Sequence, residues 1–275
     1  MTLFISMKPL YILKLGGSVI TYKNRTGGKI RKKLIKKIAK KIKDIYSKGG
    51  FNIILVHGAG SIGHQLAHKY QLSKGANQTK DGWHGSLISR IANQETNLTI
   101  AKIFVNADLP VTSIHTSSIV VQSNKLISDF YLTSIKESLK QNCIPLLYGE
   151  MVLDQTLGMT ICSGDFIVPY LAQKLGAKKI FFASDIDGVF DYDPHLNKRA
   201  KLIKRLSLNK GNAKAKIGAS HSTDVTGGLL GKLTQLESIK NSAIQSIEIF
   251  NGLKEDNYQK ILLGKPVDHT TIRLN

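Results

Sequence analysis

The stretch that most constrains the fold runs from Phe51 to His64, FNIILVHGAGSIGH. Five of its first six residues are apolar and favour β structure, and three glycines then fall within six positions. Such a run reads as a buried strand feeding a tight loop. Without a Cβ at Gly58, Gly60 and Gly63, successive N–H groups can turn toward an anion, and the helix expected next adds the positive end of its dipole. His64 stands beside that site.

The spacing also fits G-x-G-x-x-G, the dinucleotide fingerprint, which needs a second strand ending in an acid about 20 residues on. Here Gln71 to Gly82 (QLSKGANQTKDG) is polar, and Asp81 follows no apolar run. A phosphate loop of another type is the better reading. A similar turn comes earlier, where the apolar strand 10 to 15 carries Lys14 and runs into Gly16-Gly17-Ser18, with Lys23 following. Between the two strands lies Ile30 to Lys48 (IRKKLIKKIAKKIKDIYSK), whose Ile30, Leu34, Ile38, Ile42 and Ile45 form a helical stripe ended by Gly49 and Gly50. Strand, helix and strand make a βαβ unit, so both glycine turns open at the carboxyl end of a parallel sheet, where open α/β folds bind ligands.

Composition bounds the partners. Lys and Arg exceed Asp and Glu by 39 to 19, a net +20 with pI near 9.8, which suits anionic substrates, nucleic acid or an anionic surface without choosing among them. Much of the excess lies on the helix at 30 to 48, and a solvated lysine face is its ordinary explanation. At 275 residues the chain can bury a large core in one or two domains. MTLFISMKP is too short an apolar start for a signal peptide, and no run approaches membrane-spanning length, so a cytoplasmic protein is expected. Cys143 and Cys162 form no C-x-x-C pair and read as reduced thiols.

Further along, the pattern predicts a helix at 83 to 107, a strand at 111 to 114 and a β-ribbon around 119 to 126. A helix at 132 to 141 and a buried strand at 144 to 148 follow. His64 and His68 could pair on one helix face, but Gln65 stands where H-E-x-x-H needs Glu, so no metal site is assigned. Ser163-Gly164-Asp165 reads as a capped helix start, with Pro169 implying a kink or a later start. A strand at 179 to 183 ends in Ser184-Asp185-Ile186-Asp187-Gly188, whose carboxylates suit ribose, a lysine or hydrated magnesium, or simply cap an acidic turn. The small and basic residues 207 to 223 read as a mobile segment. In DVTGGLLGK (224 to 232), the residues around Gly231-Lys232 do not satisfy a Walker A, yet Thr226 and its glycines give a helix start that can face phosphates, with Lys232 a turn in. A helix to about Asn241, a strand at 247 to 250 and a short helix before Gly264 close the pattern.

Taken in order, YILKLGGSVIT-x-K, HGAGSIGH, SGD, SDIDGVF with a following DP, and DVTGGLLGK resemble the amino acid kinase family over nearly the whole chain. The histidine after the second glycine loop is similar to the branch that phosphorylates isopentenyl phosphate. The resemblance implies an α/β fold, a three-layer αβα sandwich around a mainly parallel open sheet, in two lobes. Residues 1–157 would bind the acceptor and supply a homodimer surface, and 158–275 would bind ATP. It implies γ-phosphoryl transfer from ATP, with Mg2+, to isopentenyl phosphate in an isoprenoid route, with no membrane span and no nucleic-acid partner. Lys14 and Lys232 would hold the ATP phosphates, Lys23 would stabilise the transition state, and Asp165 would orient the two ATP-binding lysines. Gly16, Gly17, Ser18, Gly60, Asp185, Asp187 and Gly228 would line the nucleotide side. His64 would donate to the acceptor phosphate, helped by the Ala59 and Gly164 backbones. Ala59 and Ile62 depart from the HGGGSFGH usual there, which predicts a non-left-handed Ala59; Phe166 stands in place of a second aspartate after SGD. Another kinase of the family, or a nucleotide- or RNA-binding protein without turnover, are the alternatives.

Overall fold

Strand β1 (Leu10–Leu15) is apolar on both faces because both faces are covered. Ile12 packs with Ile54, Val56 and Val168 on one side, while Leu13 and Leu15 pack with Ile38, Ile42, Phe104 and Tyr258 on the other. The computed structural model describes residues 8–22, 28–192, 194, 196–208, 236 and 243–274. After β1 come α1 (Gly17–Ile20), α2 (Lys32–Tyr46), β2 (Asn52–His57), α3 (Gly60–Lys69), α4 (Gly82–Val105) and β3 (Val111–Ser113). Then follow β4 (Val120–Ser123), β5 (Leu126–Phe130), α5 (Thr133–Lys140), β6 (Ile144–Tyr148), β7 (Glu150–Asp154), β8 (Gly158–Cys162) and α6 (Gly164–Leu175). The remainder is β9 (Lys179–Ser184), β10 (Arg205–Leu208), β11 (Ser246–Asn251), a helix we label α7 (Asp256–Leu262) and β12 (His269–Leu274).

Among the described residues the strands form an eight-stranded sheet, in the order β10-β12-β11-β9-β1-β2-β6-β3. From β11 to β3 every pairing is parallel; β12 runs antiparallel to β11, and β10 follows β12. Helices α2, α4 and α7 cover one face, and α5 and α6 the other, which makes the expected three layers. The βαβ unit is present, but its helix buries Ile35, Ile38, Ala39, Ile42 and Ile45. Ile38, Ile42 and Ile45 are buried as the stripe requires, but Ile30 lies before the helix, bridged to Thr21, and Leu34 is only partly buried, Ile35 taking the inward place there.

The β-ribbon expected near 119 to 126 belongs to a second sheet, β5-β4-β7-β8. Asp154 ties two of its turns. Its carboxylate accepts the N–H groups of Asn124, Lys125, Thr156 and Leu157 at 3.1, 2.8, 2.9 and 2.9 Å, and the Thr160 hydroxyl at 2.9 Å. Burial pushes this carboxyl up, but those donors prevail and hold it down at about 2. Residue 157, the boundary expected between lobes, lies in the β7–β8 turn that Asp154 secures. Helix α6 starts at Gly164 and runs through Pro169, so the later start is not seen. Ser163 caps it through its carbonyl, which receives the N–H groups of Phe166 and Ile167, rather than through its hydroxyl. The segment expected to be mobile from 207 begins inside β10; residues 209–223 lie outside the described ones.

Candidate active site

Parallel register places the carboxyl ends of the central strands in one row, because Leu15 stands opposite both His57 and Ala183, and His57 opposite Tyr148. The glycine after each strand continues the ladder. Gly16 N–H donates to Ala183 O at 2.9 Å, Gly58 to Leu15 O at 3.0 Å, and Gly149 to His57 O at 3.0 Å. The two phosphate-sized turns therefore sit side by side, and they touch. A Cβ on Gly17 would lie 2.9 Å from Gly60 Cα, and one on Gly58 would lie 3.0 Å from Gly17 N, so only glycines allow this approach. Gly60 has φ +64, whereas Ala59 has φ −70 and ψ −20, the right-handed conformation its methyl group requires.

Thr21 stitches the turns together. Its hydroxyl donates to Gly17 O at 2.9 Å and accepts the Ser61 N–H at 2.9 Å, while Ser61 Oγ reaches Tyr22 O at 3.1 Å. Three helices, α1, α3 and α6, start directly at this end of the sheet, with no side chain capping α3 or α6. Their N-terminal N–H groups give the rim a positive character suited to phosphate oxygens.

Lys14 is 5% exposed and its Nζ lies 2.7 Å from Asp165 Oδ2 in the first turn of α6. A Cβ at Gly164 would come within 2.9 Å of Lys14 Cε, so this glycine makes room for the lysine stem. On the far side Ser18 Oγ donates to Asp185 Oδ1 at 3.0 Å, and Asp187 pairs with Lys254 at 2.7 Å. His64 lies one turn past Gly60 on the same side of α3. The structure thus brings together Lys14, Gly16, Gly17, Ser18, Ala59, Gly60, His64, Gly164, Asp165 and Asp185. Lys23, Gly228 and Lys232 lie outside the described residues.

Beneath the loop, His57 is fully buried, stacks on Tyr148 at 5.2 Å, and has Nδ1 2.8 Å from Gly58 O and Nε2 3.2 Å from Asn97 Oδ1. Burial outweighs those hydrogen bonds and lowers its pKa from 6.5 to about 4, so the ring is neutral at neutral pH. An unfolded imidazole binds its proton near 6.5, and the folded one only near 4. Stability contributed by neutral His57 is therefore complete above 6.5 and is lost as pH falls toward 4. Chemical denaturation from pH 6.5 to 4 is expected to show an extra slope of about 1.4 kcal/mol per pH unit, absent in His57→Gln. Equal slopes in the two proteins would refute the buried neutral ring.

A match to the model of the amino acid kinase family spans residues 9–251. The chain belongs to the amino acid kinase family. It is 38% identical over 266 residues to an isopentenyl phosphate kinase of Methanocaldococcus jannaschii, covering 93% of this chain and 96% of that one. It is 28% identical to the isopentenyl phosphate kinase of Methanothermobacter thermautotrophicus, over 96% of this chain and 98% of that protein. A solved isopentenyl phosphate kinase structure superposes with a TM-score of 0.81 at 25% identity, over 96% of this chain and all of that one.

Sequence reasoning about this amino acid kinase family member missed three features around the site. It did not find the Thr21 stitch, although Thr21 lies within the first motif. It did not find Lys254, the partner of Asp187 from 67 residues on, for which no local signal exists. It also missed the buried Tyr148–Glu150 cluster under α4, where Glu150 accepts from Gln94 Nε2 at 3.0 Å, the Ser117 N–H at 2.9 Å and Tyr148 OH at 3.3 Å.

Proposed function

We propose that this chain transfers the γ-phosphoryl group of ATP to isopentenyl phosphate, giving isopentenyl diphosphate and ADP. The observation that carries the reading is the backbone contact between Gly17 and Gly60, which sets the two glycine turns side by side, with Lys14 on the strand before the first and His64 one turn into the helix after the second. The two archaeal relatives named isopentenyl phosphate kinase support the choice of acceptor.

An oxygen of the acceptor phosphate attacks the γ-phosphorus, the bond to the β–γ bridging oxygen breaks, and ADP leaves. There is little covalent work for the protein, so rate comes from positioning and from neutralising charge on the phosphoryl oxygens. In this reading Lys14, oriented by Asp165, holds the ATP phosphates, with Gly16, Gly17, Ser18 and Gly60 supplying backbone and hydroxyl contacts. Lys232 and Gly228 join them on the nucleotide side, and Lys23 stabilises the transferred group. His64 donates to the acceptor phosphate, flanked by the Ala59 and Gly164 backbones. Residues 1–157 form the acceptor lobe and 158–275 the nucleotide lobe.

The residues present suit a magnesium ion that enters with the nucleotide. Asp187 is already paired with Lys254, so the carboxylates make no all-protein cage, and magnesium prefers phosphate oxygens and water with few carboxylates. Asp185, beside the first glycine turn, would hold it through water. Bound there, magnesium would neutralise charge on the phosphate oxygens.

We place the protein in the cytoplasm, with ATP; among the described residues no helix is long and apolar enough to cross a membrane. We also assign it a homodimer built on α4, whose first four turns bury polar side chains while apolar ones face outward along its length. Ser86, Ser89, Asn93 and Asn97 are buried, while Trp83, Leu87, Ile91, Leu98 and Val105 are 46–56% exposed. An antiparallel copy centred near Leu98 would set Ile91 against Val105 and Glu95 against Lys102.

Coupled ADP release with Mg-ATP tests the reading against isopentenyl phosphate, carbamate, glutamate, UMP and fosfomycin. Turnover is expected with isopentenyl phosphate, and His64→Ala is expected to raise its KM about tenfold or more, one lost charge-assisted hydrogen bond. Turnover confined to another acceptor would remove the acceptor assignment and leave the family standing.

A further inference from the structure

Strand β12 differs from its neighbours in direction, and the difference reaches the site. The parallel strands bring their carboxyl ends to the crevice; β12 is antiparallel to β11, so it brings its amino end there, with His269 opposite Phe250 and Thr270 opposite Ile249. Its register is locked. Glu248 Oε2 accepts the Thr271 hydroxyl at 2.8 Å and lies 3.2 Å from His269 Nε2. A one-residue slip would turn each side chain to the opposite face and break both contacts.

Thr270 is fully buried, and both hydrogen-bonding capacities of its hydroxyl are used on one feature. Oγ1 accepts the Val189 N–H at 2.8 Å and donates to Ile203 O at 2.6 Å. Val189 and Ile203 are the base of an excursion closed by Ile203 N–H to Val189 O at 2.8 Å, a Phe190–Leu202 bridge, and Lys201 N–H to Asp191 Oδ1 at 2.7 Å. Gly188 abuts the same hydroxyl so closely that a Cβ there would lie 2.4 Å from Thr270 Oγ1. Immediately upstream are Asp185, held to Ser18, and Asp187, held to Lys254.

We infer that Thr270 is a positioning residue for nucleotide binding: it pins the carboxyl end of the Asp185–Gly188 loop, at the point where the chain leaves the crevice. The inference rests on the kinase reading above, in which that loop lines the nucleotide side. Ser18 and Lys254 fix the two aspartates laterally, and the Thr270 hydroxyl fixes the height of the loop over the sheet. With valine there, of equal shape, the buried Val189 N–H and Ile203 carbonyl lose their partner and the loop is free to shift. A shift of about 1 Å in groups that contact a bound phosphate is enough to weaken binding strongly.

The test is calorimetric titration of the full chain with Mg-ATP in the absence of acceptor, together with KM for both substrates. Thr270→Val is expected to raise the Kd for Mg-ATP about tenfold and leave the acceptor KM within about twofold, while Thr270→Ser, which keeps the hydroxyl, stays near wild type. Unchanged nucleotide affinity in Thr270→Val would overturn the inference. So would a parallel loss of both affinities that serine fails to rescue, since that is what general loosening gives. Should the valine protein not fold, Gly188→Ala presses on the same hydroxyl from the loop side and is expected to show the same nucleotide-selective loss; wild-type affinity there would refute it. A wild-type chain that binds no Mg-ATP would overturn the kinase reading, and this inference with it, before any variant is compared.

Discussion

Lys14→Met is expected to lower kcat about 10³-fold with the protein still folded, because it removes a fixed cation from the crevice where phosphoryl charge develops. Methionine keeps most of the stem that fills the gap left by Gly164 and keeps contact with the sheet, so packing changes little. Stability is a separate matter. The Lys14–Asp165 pair is 7% and 15% exposed, and deleting one partner of such a pair costs up to about 3–5 kcal/mol. Lys14→Met/Asp165→Asn also removes the buried carboxylate charge that has lost Lys14, and melting curves are expected to show part of that loss recovered, while ADP release stays as low as in the single variant. A single variant within tenfold of wild type would take Lys14 out of the chemistry.

Gly60→Val carries the second large effect, and its neighbour supplies the control. Gly60 has φ +64, and a Cβ there would lie 2.6 Å from Thr21 Oγ1 and 2.7 Å from Thr21 Cγ2. A β-branched residue meets the left-handed penalty of about 1–2 kcal/mol and an overpacking cost of about 1–3 kcal/mol. The relief available is to part the two turns, so turnover is expected to fall about 100-fold along with the melting temperature. Ala59→Gly, one residue earlier at φ −70, needs no special conformation and is expected to cost less than about 1 kcal/mol. Similar losses from both substitutions would mean that the loop tolerates separation.

What could be read from the sequence follows from what is local. The strands at 10 to 15 and 144 to 148 are apolar runs broken only by Lys14 and are found at those bounds, because burial on both faces leaves no ambiguity of period. The glycine turns, the Ser163 cap position and the conformation of Ala59 were also legible, since each depends on a few adjacent residues; the start of α6 was left open by Pro169. The second sheet was only half visible. Strands β7 and β8 are short, and their turn is fixed by Asp154, whose five donors come from several places in the chain. Strand β12 was missed because HTTIRL is polar in alternation and stands at the edge of the parallel block. The outward apolar residues of α4 were read as an ordinary helix, since periodicity finds a stripe without saying which side faces water.

The contact of Gly17 with Gly60 also bears on how such a protein can diverge. Where two turns meet main chain to main chain, the glycines at the contact offer no side chains whose exchange could retune it, and substitution of them can only spoil it. Descent with a changed acceptor must therefore alter what lies past Gly63, on α3 and on the strands facing it. The arrangement resembles a socket of fixed bore with an interchangeable end.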